Sequence, residues 1–393
     1  MGADNYTIAI IGGGPVGMAL ALALRNNCQS NLTTLLLEAR GLPEKIEDER
    51  PLALSYGSHL ILDRLGAWQK LPRYTPINTI HISNKGYFGR TVLTTKDAGV
   101  PALGYVVNYH DLFRALYETI LESDVQYQTG AIVKHFSTDE DSGHVQYDHE
   151  NIEKKISAKL LVVADGGRLS SQIKNVSYQT AEYNQWAIVA NIKTEKQQSG
   201  IAYERFTTDG PVALLPSGDN FALVWTVSPE TAKEILAMDD YRFLARLHTH
   251  FGDRLGQFVF AGKRSGFPLA LKYAVPTTAQ RTVLIGNAAQ TLHPVAGQGF
   301  NLGLRDAYEL AQEILETLSA HKDIGSPSML TRYGKHRRID SQGGRMFTDS
   351  LVRLFSNDNS LLRHCCGIGL TILDNFPPVK RFVARRMIFG ARG

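Results

Sequence analysis

Cysteine is scarce in this chain of 393 residues, and its three cysteines form neither a disulfide framework nor a zinc pattern. Cys28 stands alone, and Cys365 and Cys366 are adjacent. The 12 histidines include no pair at the H-x-x-x-H spacing that binds a metal from one helix face. The sequence therefore predicts a protein without a metal site, in a reducing compartment.

Long hydrophobic runs are missing as well, because no uninterrupted apolar stretch reaches the roughly 18 residues that a spanning helix needs. No basic start with an apolar core precedes the first predicted strand, as a secretory signal would require. The formal net charge is only +4, which is too small to attract nucleic acid. With 393 residues, of which 43% are hydrophobic, the chain is long enough for two packed domains. We expect a cytoplasmic protein that is soluble or peripheral at the inner face of the membrane.

Glycine is abundant, and its first cluster follows a predicted strand. A short β-branched strand, the turn GGGPVG and an apolar helix occupy residues 7–25. In such a unit Gly12 permits the sharp turn, Gly14 lets the backbone approach a pyrophosphate, and Gly17 allows close packing of helix on strand. A second strand ends in Glu38, an acid placed to bind a ribose diol. This pattern predicts a dinucleotide site.

A second glycine cluster lies in residues 284–306, LIGNAAQTLHPVAGQGFNLGLRD. Its strand runs into a loop of small residues, and a helix is predicted to begin near residues 299–301. Another strand ends in Asp165 and Gly166. A helix start presents positive charge, which suits the negative charge of a reduced flavin and which nicotinamide does not need. The later segments therefore favour FAD over NAD.

The stretch from residue 178 to residue 273 has the pattern of an antiparallel sheet. Alternating and β-branched segments recur along it, and helices are predicted at residues 229–236 and 241–251. A sheet beside a nucleotide-binding domain would form the wall of a cleft.

These motifs, with Arg50 in the run ERPLALS, resemble the group A flavoprotein aromatic hydroxylases, which have the para-hydroxybenzoate hydroxylase fold. Within that family the 284–306 segment is most similar to the ubiquinone-biosynthesis subgroup. The resemblance implies an α/β protein: a Rossmann-like FAD-binding domain, an inserted antiparallel β-sheet substrate domain and a C-terminal helical segment. The implied boundaries are 1–75, 97–177 and 278–345 for the FAD-binding domain, 76–96 and 178–277 for the substrate domain, and 346–393 for the helical segment.

The motifs and the resemblance imply cofactor-binding roles for Gly12, Gly14, Gly17, Glu38, Arg50, Asp165, Gly166, Gly286, Asn287, Gly297, Gln298, Gly299 and Asn301. His293 and Pro294 are catalytic candidates on the flavin and substrate face, although His293 is equally well explained as a hydrogen-bonding loop residue. His110 matches a polar position that often touches the cofactor in the family. Three residues depart from the wider family: Asn287 replaces an Asp, Gln290 replaces a His, and Leu169 replaces a Ser, and the ubiquinone-biosynthesis subgroup shares the first two changes.

The reaction implied by the resemblance is hydroxylation of an aromatic ring through a flavin C4a-hydroperoxide. The cofactor would be FAD, the co-substrate O2, and the electron donor NAD(P)H or a redox protein. The implied substrate is a polyprenylated phenol of ubiquinone biosynthesis, with 2-polyprenyl-6-methoxyphenol converted to the 1,4-benzoquinol. Three alternatives stay open: another ring hydroxylase of that pathway, a flavin-dependent prenyl reductase, and a non-catalytic subunit of a biosynthetic complex.

The C-terminal region contains a basic amphipathic segment at residues 379–389, VKRFVARRMIF. Polyprenyl phenols partition into bilayers, and an anionic leaflet attracts such a segment. One interpretation is therefore attachment to a membrane surface or to a partner in a ubiquinone-biosynthesis complex. The other is a helix whose apolar face packs on its own chain, with the arginines in solvent.

Overall fold

The computed structural model describes residues 4–25, 32–41, 48, 50–196, 198–292, 297–355 and 359–392. Its strands are β1 (Asp4–Ile11), β2 (Thr34–Glu38), β3 (Pro51–Ser55), β4 (Thr75–Ile77), β5 (Thr79–Asn84), β6 (Arg90–Thr94), β7 (Gly104–Asn108), β8 (Gln126–Thr129), β9 (Ile132–Thr138), β10 (Gly143–His149), β11 (Ile152–Val163), β12 (Ser177–Thr194), β13 (Ile201–Phe206), β14 (Pro211–Ser217), β15 (Asn220–Val227), β16 (Phe258–Ala261), β17 (Ser265–Val275), β18 (Thr278–Ala279), β19 (Thr282–Leu284) and β20 (Gln290–Thr291). Its helices are α1 (Pro15–Arg25), α2 (Tyr56–Arg64), α3 (Thr95–Ala98), α4 (Tyr109–Leu121), α5 (Pro229–Ala237), α6 (Asp240–Phe251), α7 (Gln298–Ser319), α8 (Pro327–Phe355), α9 (Ser360–Asn375) and α10 (Pro377–Phe389).

The first sheet is of the nucleotide-binding type that the glycine turn predicts. Its path is β18-β19-β11-β1-β2-β8, with β10 beside β11 and β9 beside β10. Strands β19, β11, β1, β2 and β8 run parallel, and Ile10 pairs in register with Leu36 and Val162. Apolar parallel strands need cover on both faces. Helices α1, α4 and α7 cover one face, and Phe136 and Val145 of β9 and β10 cover the other.

The second sheet confirms the antiparallel sheet predicted between residues 178 and 273. Its path is β20-β17-β12-β15-β14-β13-β5-β6, with β16 beside β12, and only β13 and β5 pair in parallel. The helices predicted at residues 229–236 and 241–251 are α5 and α6, and they pack on one face through Ile235 and Phe243. The opposite face of the sheet is turned towards α8, α9 and α10, and a small sheet, β3-β7-β4, lies beside it. The α/β fold class is thereby confirmed.

The C-terminal helices pack against the rest of the chain. Helix α8 lies along α7, and α9 lies against β6. There Thr91 Oγ1 donates to the carbonyl oxygen of Leu370 at 2.7 Å, and the N–H of Val92 donates to Asp374 at 2.9 Å. In α10, Ile388 is buried in a cluster with side chains of β4 and β6. One apolar face of the basic helix therefore packs on its own chain.

A buried ionic network joins α7 to α8. The guanidinium of Arg337 is 2.7 Å from the carboxylate of Asp306 and 2.9 Å from that of Asp340. Arg305 Nε donates to Asp340 at 2.8 Å, and the N–H of Gly286 donates to Asp306 at 3.1 Å. Burial works to raise the pKa of Asp340, but the two arginines outweigh it and hold that pKa below its ordinary value. The network thus keeps charges paired in the interior.

Replacing Arg337 with Met leaves Asp306 and Asp340 buried without their shared cation. We expect the free energy of unfolding to fall by about 3–5 kcal/mol, the usual cost of breaking a buried ion pair on one side. Urea unfolding of the FAD-free protein measures this loss. Arg338→Met is the matched control, because Arg338 is the exposed neighbour on the same helix, and it should change the stability by about 0.5 kcal/mol or less. Equal losses in both variants would contradict a stabilising role for the network.

Candidate active site

The carboxyl ends of β1, β2, β11 and β19 meet at one edge of the first sheet, where a cavity of about 660 Å³ opens. In open α/β sheets, ligands bind at this edge. Segments that are far apart along the chain therefore line one space. The predicted residues in the cavity wall are Gly12, Gly14, Glu38, Arg50, Asp165, Gly166, Gly286, Asn287 and Gly299.

The three glycines of the first turn occupy three different environments. Gly12 has a φ of +114°, and a Cβ there would lie 2.5 Å from the carbonyl group of Ala164. A Cβ added at Gly17 would lie 2.0 Å from the carbonyl oxygen of Gly12. A Cβ added at Gly14 would meet no atom within 4 Å, because Gly14 faces the cavity. Gly12 and Gly17 are thus required by the turn itself, whereas Gly14 leaves space for a ligand.

Glu38 lies at the end of β2 and fixes the glycine turn. One carboxylate oxygen accepts the N–H of Gly13 at 2.8 Å, and the other accepts the N–H and Nε of Arg40 at 3.0 and 2.9 Å. Both Glu38 and Arg40 line the cavity. Sequence reasoning missed Arg40, although its place two residues beyond a strand end at the glycine edge is a usable signal.

Asp165 closes the loop that follows β11. Its two carboxylate oxygens accept the N–H groups of Gly167 at 2.8 Å and of Leu169 at 2.7 Å. Gly166 has a φ of +76° and faces open space. The Ser-to-Leu departure at position 169 is therefore tolerated, because the backbone of Leu169 makes this hydrogen bond and its side chain lines the cavity.

Arg50 adds a cation to the same cavity. Its Nη2 is 2.6 Å from Asp48 Oδ2, and the guanidinium lies 5.6 Å from the ring centre of Tyr109 and 5.8 Å from that of Phe267. Tyr109 and Phe267 are part of the cavity wall, whereas His110 is not among its described lining residues. Tyr109, one position before His110, is thus the described residue of this pair in the cavity wall, and the predicted cofactor contact of His110 stays a prediction.

The second glycine loop presents Asn287 to the cavity. The side chain of Asn287 is exposed, whereas Gly286 beside it is buried. A Cβ added at Gly303 would lie 3.2 Å from the Cα of Gly286 and 3.0 Å from a methyl group of Val16. Gly303, which sequence reasoning missed, therefore lets α7 pack closely on both glycine loops.

A second cavity, of about 420 Å³, is contiguous with the first. It lies between the face of the second sheet opposite α5 and α6 and the helices α8, α9 and α10, and most of its lining side chains are apolar. Six residues belong to the walls of both cavities: Pro51, Leu52, Val224, Leu292, Gly299 and Phe300.

Helix α7 starts where the two cavities meet. It begins at Gln298, one residue before the predicted onset, and follows Gly297, whose φ is +60°. No side chain among the described residues caps this helix start, so the positive end of the helix dipole can face a negatively charged group. Gln298, predicted to bind the cofactor, lines the second cavity and donates to the carbonyl oxygen of Met387 on α10 at 3.4 Å.

Asn301 uses its whole amide group within the protein. Its oxygen accepts from the N–H of Ser55 at 2.8 Å and the hydroxyl of Ser58 at 2.7 Å. Its nitrogen donates to the carbonyl oxygens of Ala53 at 2.9 Å and Gly297 at 2.6 Å. An amide has two N–H groups and two lone pairs, so none is left for a ligand. The side chain of Asn301 therefore fastens α7 to β3 and α2, and the predicted cofactor-binding role of the residue stays a prediction.

The two catalytic candidates, His293 and Pro294, lie outside the described residues. Their roles on the flavin and substrate face stay predictions.

The first cavity has the surface that FAD requires. A Cβ added at Gly14, Gly166 or Gly299 would meet no atom within 4 Å, so bare backbone opens on the cavity at three places. The start of α1 offers N–H groups to a pyrophosphate, and the positive end of the α7 dipole can face an electron-rich ring. The residues present therefore fit FAD.

Comparisons with known proteins agree with this site. The family model described as "FAD binding domain" matches residues 5–343. The ubiquinone hydroxylase UbiL of Rhodospirillum rubrum is 31% identical over 393 residues, covering 96% of this chain and 88% of that protein. The 3-demethoxyubiquinol 3-hydroxylase of Escherichia coli is 30% identical over 388 residues, covering 95% of this chain and 96% of that protein.

The fold is also found among solved structures. The p-nitrophenol 4-monooxygenase PnpA of Pseudomonas putida DLL-E4 has a TM-score of 0.78 at 16% identity, covering 99% of this chain and 100% of that chain. The family match spans most of the sequence, and the glycine loops that carry it line one cavity. The chain belongs to the FAD-binding-domain family and is an FAD-dependent aromatic hydroxylase of the para-hydroxybenzoate hydroxylase fold.

Proposed function

We propose that this protein hydroxylates a polyprenylated phenol in ubiquinone biosynthesis, converting a 2-polyprenyl-6-methoxyphenol to the corresponding 1,4-benzoquinol. The proposal rests on the apolar second cavity, which shares part of its wall with the FAD cavity. The names of the ubiquinone hydroxylases among the relatives support the pathway.

The walls of the second cavity suit a prenyl chain. Aliphatic and aromatic side chains of three helices form one side of it: Phe347, Leu351, Phe355, Leu370, Leu373, Val383, Met387 and Ile388. Each CH₂ group buried there contributes about 0.8 kcal/mol, so one prenyl unit would add several kcal/mol to binding. A cavity of this kind would select prenylated phenols over small polar ones.

The proposed cofactor contacts follow from the cavity wall. Gly14 at the start of α1 would hold the pyrophosphate, with Arg50 on its phosphate side, and Glu38 would bind the ribose. Asp165 with Gly166, and Asn287 with Gly286, contact the ribityl and flavin portions. Bound FAD, reduced by NAD(P)H or a redox protein, would supply the electrons that activate O2 for transfer to the ring.

We assign the domains from the two sheets, although β20 of the second sheet lies within residues 278–345 and α8 crosses the boundary at residue 345. Residues 1–75, 97–177 and 278–345 form the FAD-binding domain, and residues 76–96 and 178–277 form the substrate domain. The pairing of β5 and β6 with the second sheet supports this division. The helical region 346–393 then completes the substrate cavity.

We assign a membrane contact to the outer face of α9 and α10. Leu361, Ile368 and Ile372 recur at helical spacing on α9 and are 75%, 49% and 57% exposed, and Phe382 of α10 is 64% exposed. The exposed Arg381 and Arg385 beside Phe382 suit an anionic leaflet. The same two helices line the cavity from inside, so a bilayer-dissolved substrate would have a short path to it. In the described ranges, no helix has the length and apolar content to cross a bilayer.

Gly14→Ala and Gly17→Ala should have different effects. A methyl group at Gly14 occupies ligand space, so we expect normal stability without FAD and an FAD affinity reduced by roughly 5- to 150-fold, equivalent to an overpacking cost of about 1–3 kcal/mol. At Gly17 the methyl group meets the Gly12 carbonyl, so the FAD-free protein itself should lose about 1–3 kcal/mol. Fluorescence titration with FAD and urea unfolding measure the two effects. Full FAD affinity in Gly14→Ala would contradict the phosphate placement.

The proposed reaction is tested with the FAD-loaded protein, a nicotinamide or chemical reductant and a short-chain prenyl methoxyphenol. We expect a flavin absorption spectrum, oxygen uptake that depends on the phenol, and a 1,4-quinol product. Hydroxylation at another carbon would indicate another ring hydroxylase of the pathway. Prenyl saturation without oxygen uptake would indicate a reductase, and failure to retain FAD would indicate a non-catalytic subunit.

The membrane contact predicts binding to vesicles of phosphatidylcholine with phosphatidylglycerol. Replacing both Ile372 and Phe382 with Ser should weaken sedimentation with these vesicles by about tenfold or more, since a buried apolar side chain contributes about 1.5–3 kcal/mol. Tyr241→Ser is the control, because Tyr241 is 84% exposed on α6, outside this surface. Unchanged binding by the double variant would show that this surface is not the contact.

A further inference from the structure

We propose that Glu204 accepts the hydrogen bond of the substrate's phenol hydroxyl and then takes its proton during hydroxylation. The inference rests on the proposed function, since it assigns one residue of the second cavity to the hydroxyl group of the substrate.

The position of Glu204 in the sheet directs it into the cavity. On β13 the residues alternate, so Ala202, Glu204 and Phe206 share the face that lines the cavity. In register, Glu204 lies between Ile82 of β5 and Ala213 of β14, both of which are also cavity-lining. A carboxylate therefore sits in an apolar wall.

Glu204 is half-buried, and among the described residues its carboxylate has no hydrogen-bond or ion-pair partner. Burial alone shifts its pKa, with no contribution from a hydrogen bond or a neighbouring charge. An ionised carboxylate without a partner is costly in an apolar environment. The group is therefore best explained by a ligand that supplies the missing donor, and a phenol hydroxyl is a donor of suitable size.

The titration of Glu204 suits proton transfer near neutral pH. Burial raises its pKa to about 7, close to the pH at which a general base is most effective. The described lining residues from β5, β14, α8, α9 and α10 carry no charge. The titratable groups nearest in the sheet are Tyr203, Arg205 and His81, which belong to the alternate set of positions; of these three, Tyr203 is also among the described residues that line the cavity. Desolvation thus decides the protonation of Glu204.

The phenol and Glu204 account for the whole proton transfer. The phenol O–H bond breaks, the proton bonds to a carboxylate oxygen of Glu204, and the electron pair stays on the phenol oxygen. That pair enters the ring and makes the ortho and para carbons more nucleophilic. The apolar wall favours the neutral carboxylic acid that results.

The sheet register also orients the ring. Glu204, Ala213 and Val224 are paired across three adjacent strands, and Val224 belongs to the wall shared with the FAD cavity. Adjacent strands are about 4.8 Å apart, so Glu204 is set back from that wall by roughly 10 Å along the sheet. A ring whose hydroxyl group binds Glu204 therefore points its para carbon towards the FAD cavity, as a 1,4-quinol product requires.

The test compares Glu204→Gln and Glu204→Asp with wild type in the FAD-loaded enzyme. For wild type, kcat/KM for the prenyl methoxyphenol should rise with pH to a plateau above about 7, because the carboxylate must be ionised. Glu204→Gln should lose this rise and reduce kcat by roughly 10²- to 10⁴-fold, the usual contribution of a general base. Glu204→Asp should keep the rise at a lower rate. Glu182→Gln, on an exposed position of β12, is the control and should match wild type.

Two readouts do not depend on turnover. Phenol binding to the oxidised enzyme without reductant, followed by the change in flavin absorption, should persist in Glu204→Gln, which shows that the cavity is intact. Because the folded protein holds the Glu204 proton more tightly than the unfolded chain, the stability of wild type relative to Glu204→Gln should fall as pH rises from 4.5 to about 7.

The outcomes separate the inference from the proposed function. A wild-type rate and pH profile in Glu204→Gln would overturn the role of Glu204 and leave the hydroxylase function intact. Absence of phenol hydroxylation by wild type would overturn the proposed function itself. Loss of both phenol binding and turnover in Glu204→Gln, with Glu204→Asp equally inactive, would assign Glu204 to cavity structure and contradict proton transfer.

Discussion

The carboxylate of Asp306 is the point at which the FAD-binding loop and the long C-terminal helices are held together. One of its oxygens accepts the N–H of Gly286, and the other pairs with Arg337. Arg337 also pairs with Asp340, which accepts the N–H of Ala391 at 2.9 Å. A charge this deeply buried is tolerated only with its partners in place. The arrangement of α7, α8 and the end of the chain around the cofactor loop therefore depends on this network.

The position of the start of α7 also depends on this network. Held by the amide of Asn301, it lies between the FAD cavity and the apolar cavity, and Gly299 belongs to both walls. A substrate in the apolar cavity would thus lie beside the cofactor and away from bulk water. Exclusion of water protects reactive oxygen chemistry, so the position of the start of α7 matters both for the fold and for catalysis.

The sequence predicted what is encoded locally. The turn around Gly12 and the helices α5 and α6 follow from residue types and spacing within a few residues. Hydrogen bonds between residues far apart in the chain could not be predicted from the sequence. Asn301, for example, bonds Ser55 and Ser58, which lie 246 and 243 residues away. The motif therefore predicted a ligand-binding role for Asn301, whereas in the structure its side-chain amide is fully hydrogen-bonded within the protein.

Glu204 shows a different limit. In the strand IAYERF, alternation would assign a Glu to the solvent face, and only the packing of α8, α9 and α10 over that face turns it into a cavity wall. The basic helix α10 shows a similar limit, because it has apolar residues on two faces. Ile388 packs inwards on the chain itself while Phe382 is exposed, so attachment to a membrane or a partner stays a prediction.

The central claim is that oxygen from O2 enters the ring of a prenylated phenol in this active site. The most direct measurement is the mass of the product formed under ¹⁸O-labelled O2 with the FAD-loaded protein. We expect one labelled oxygen, on the ring carbon para to the original hydroxyl group. A product without the label, or one whose new oxygen comes from water, would contradict it.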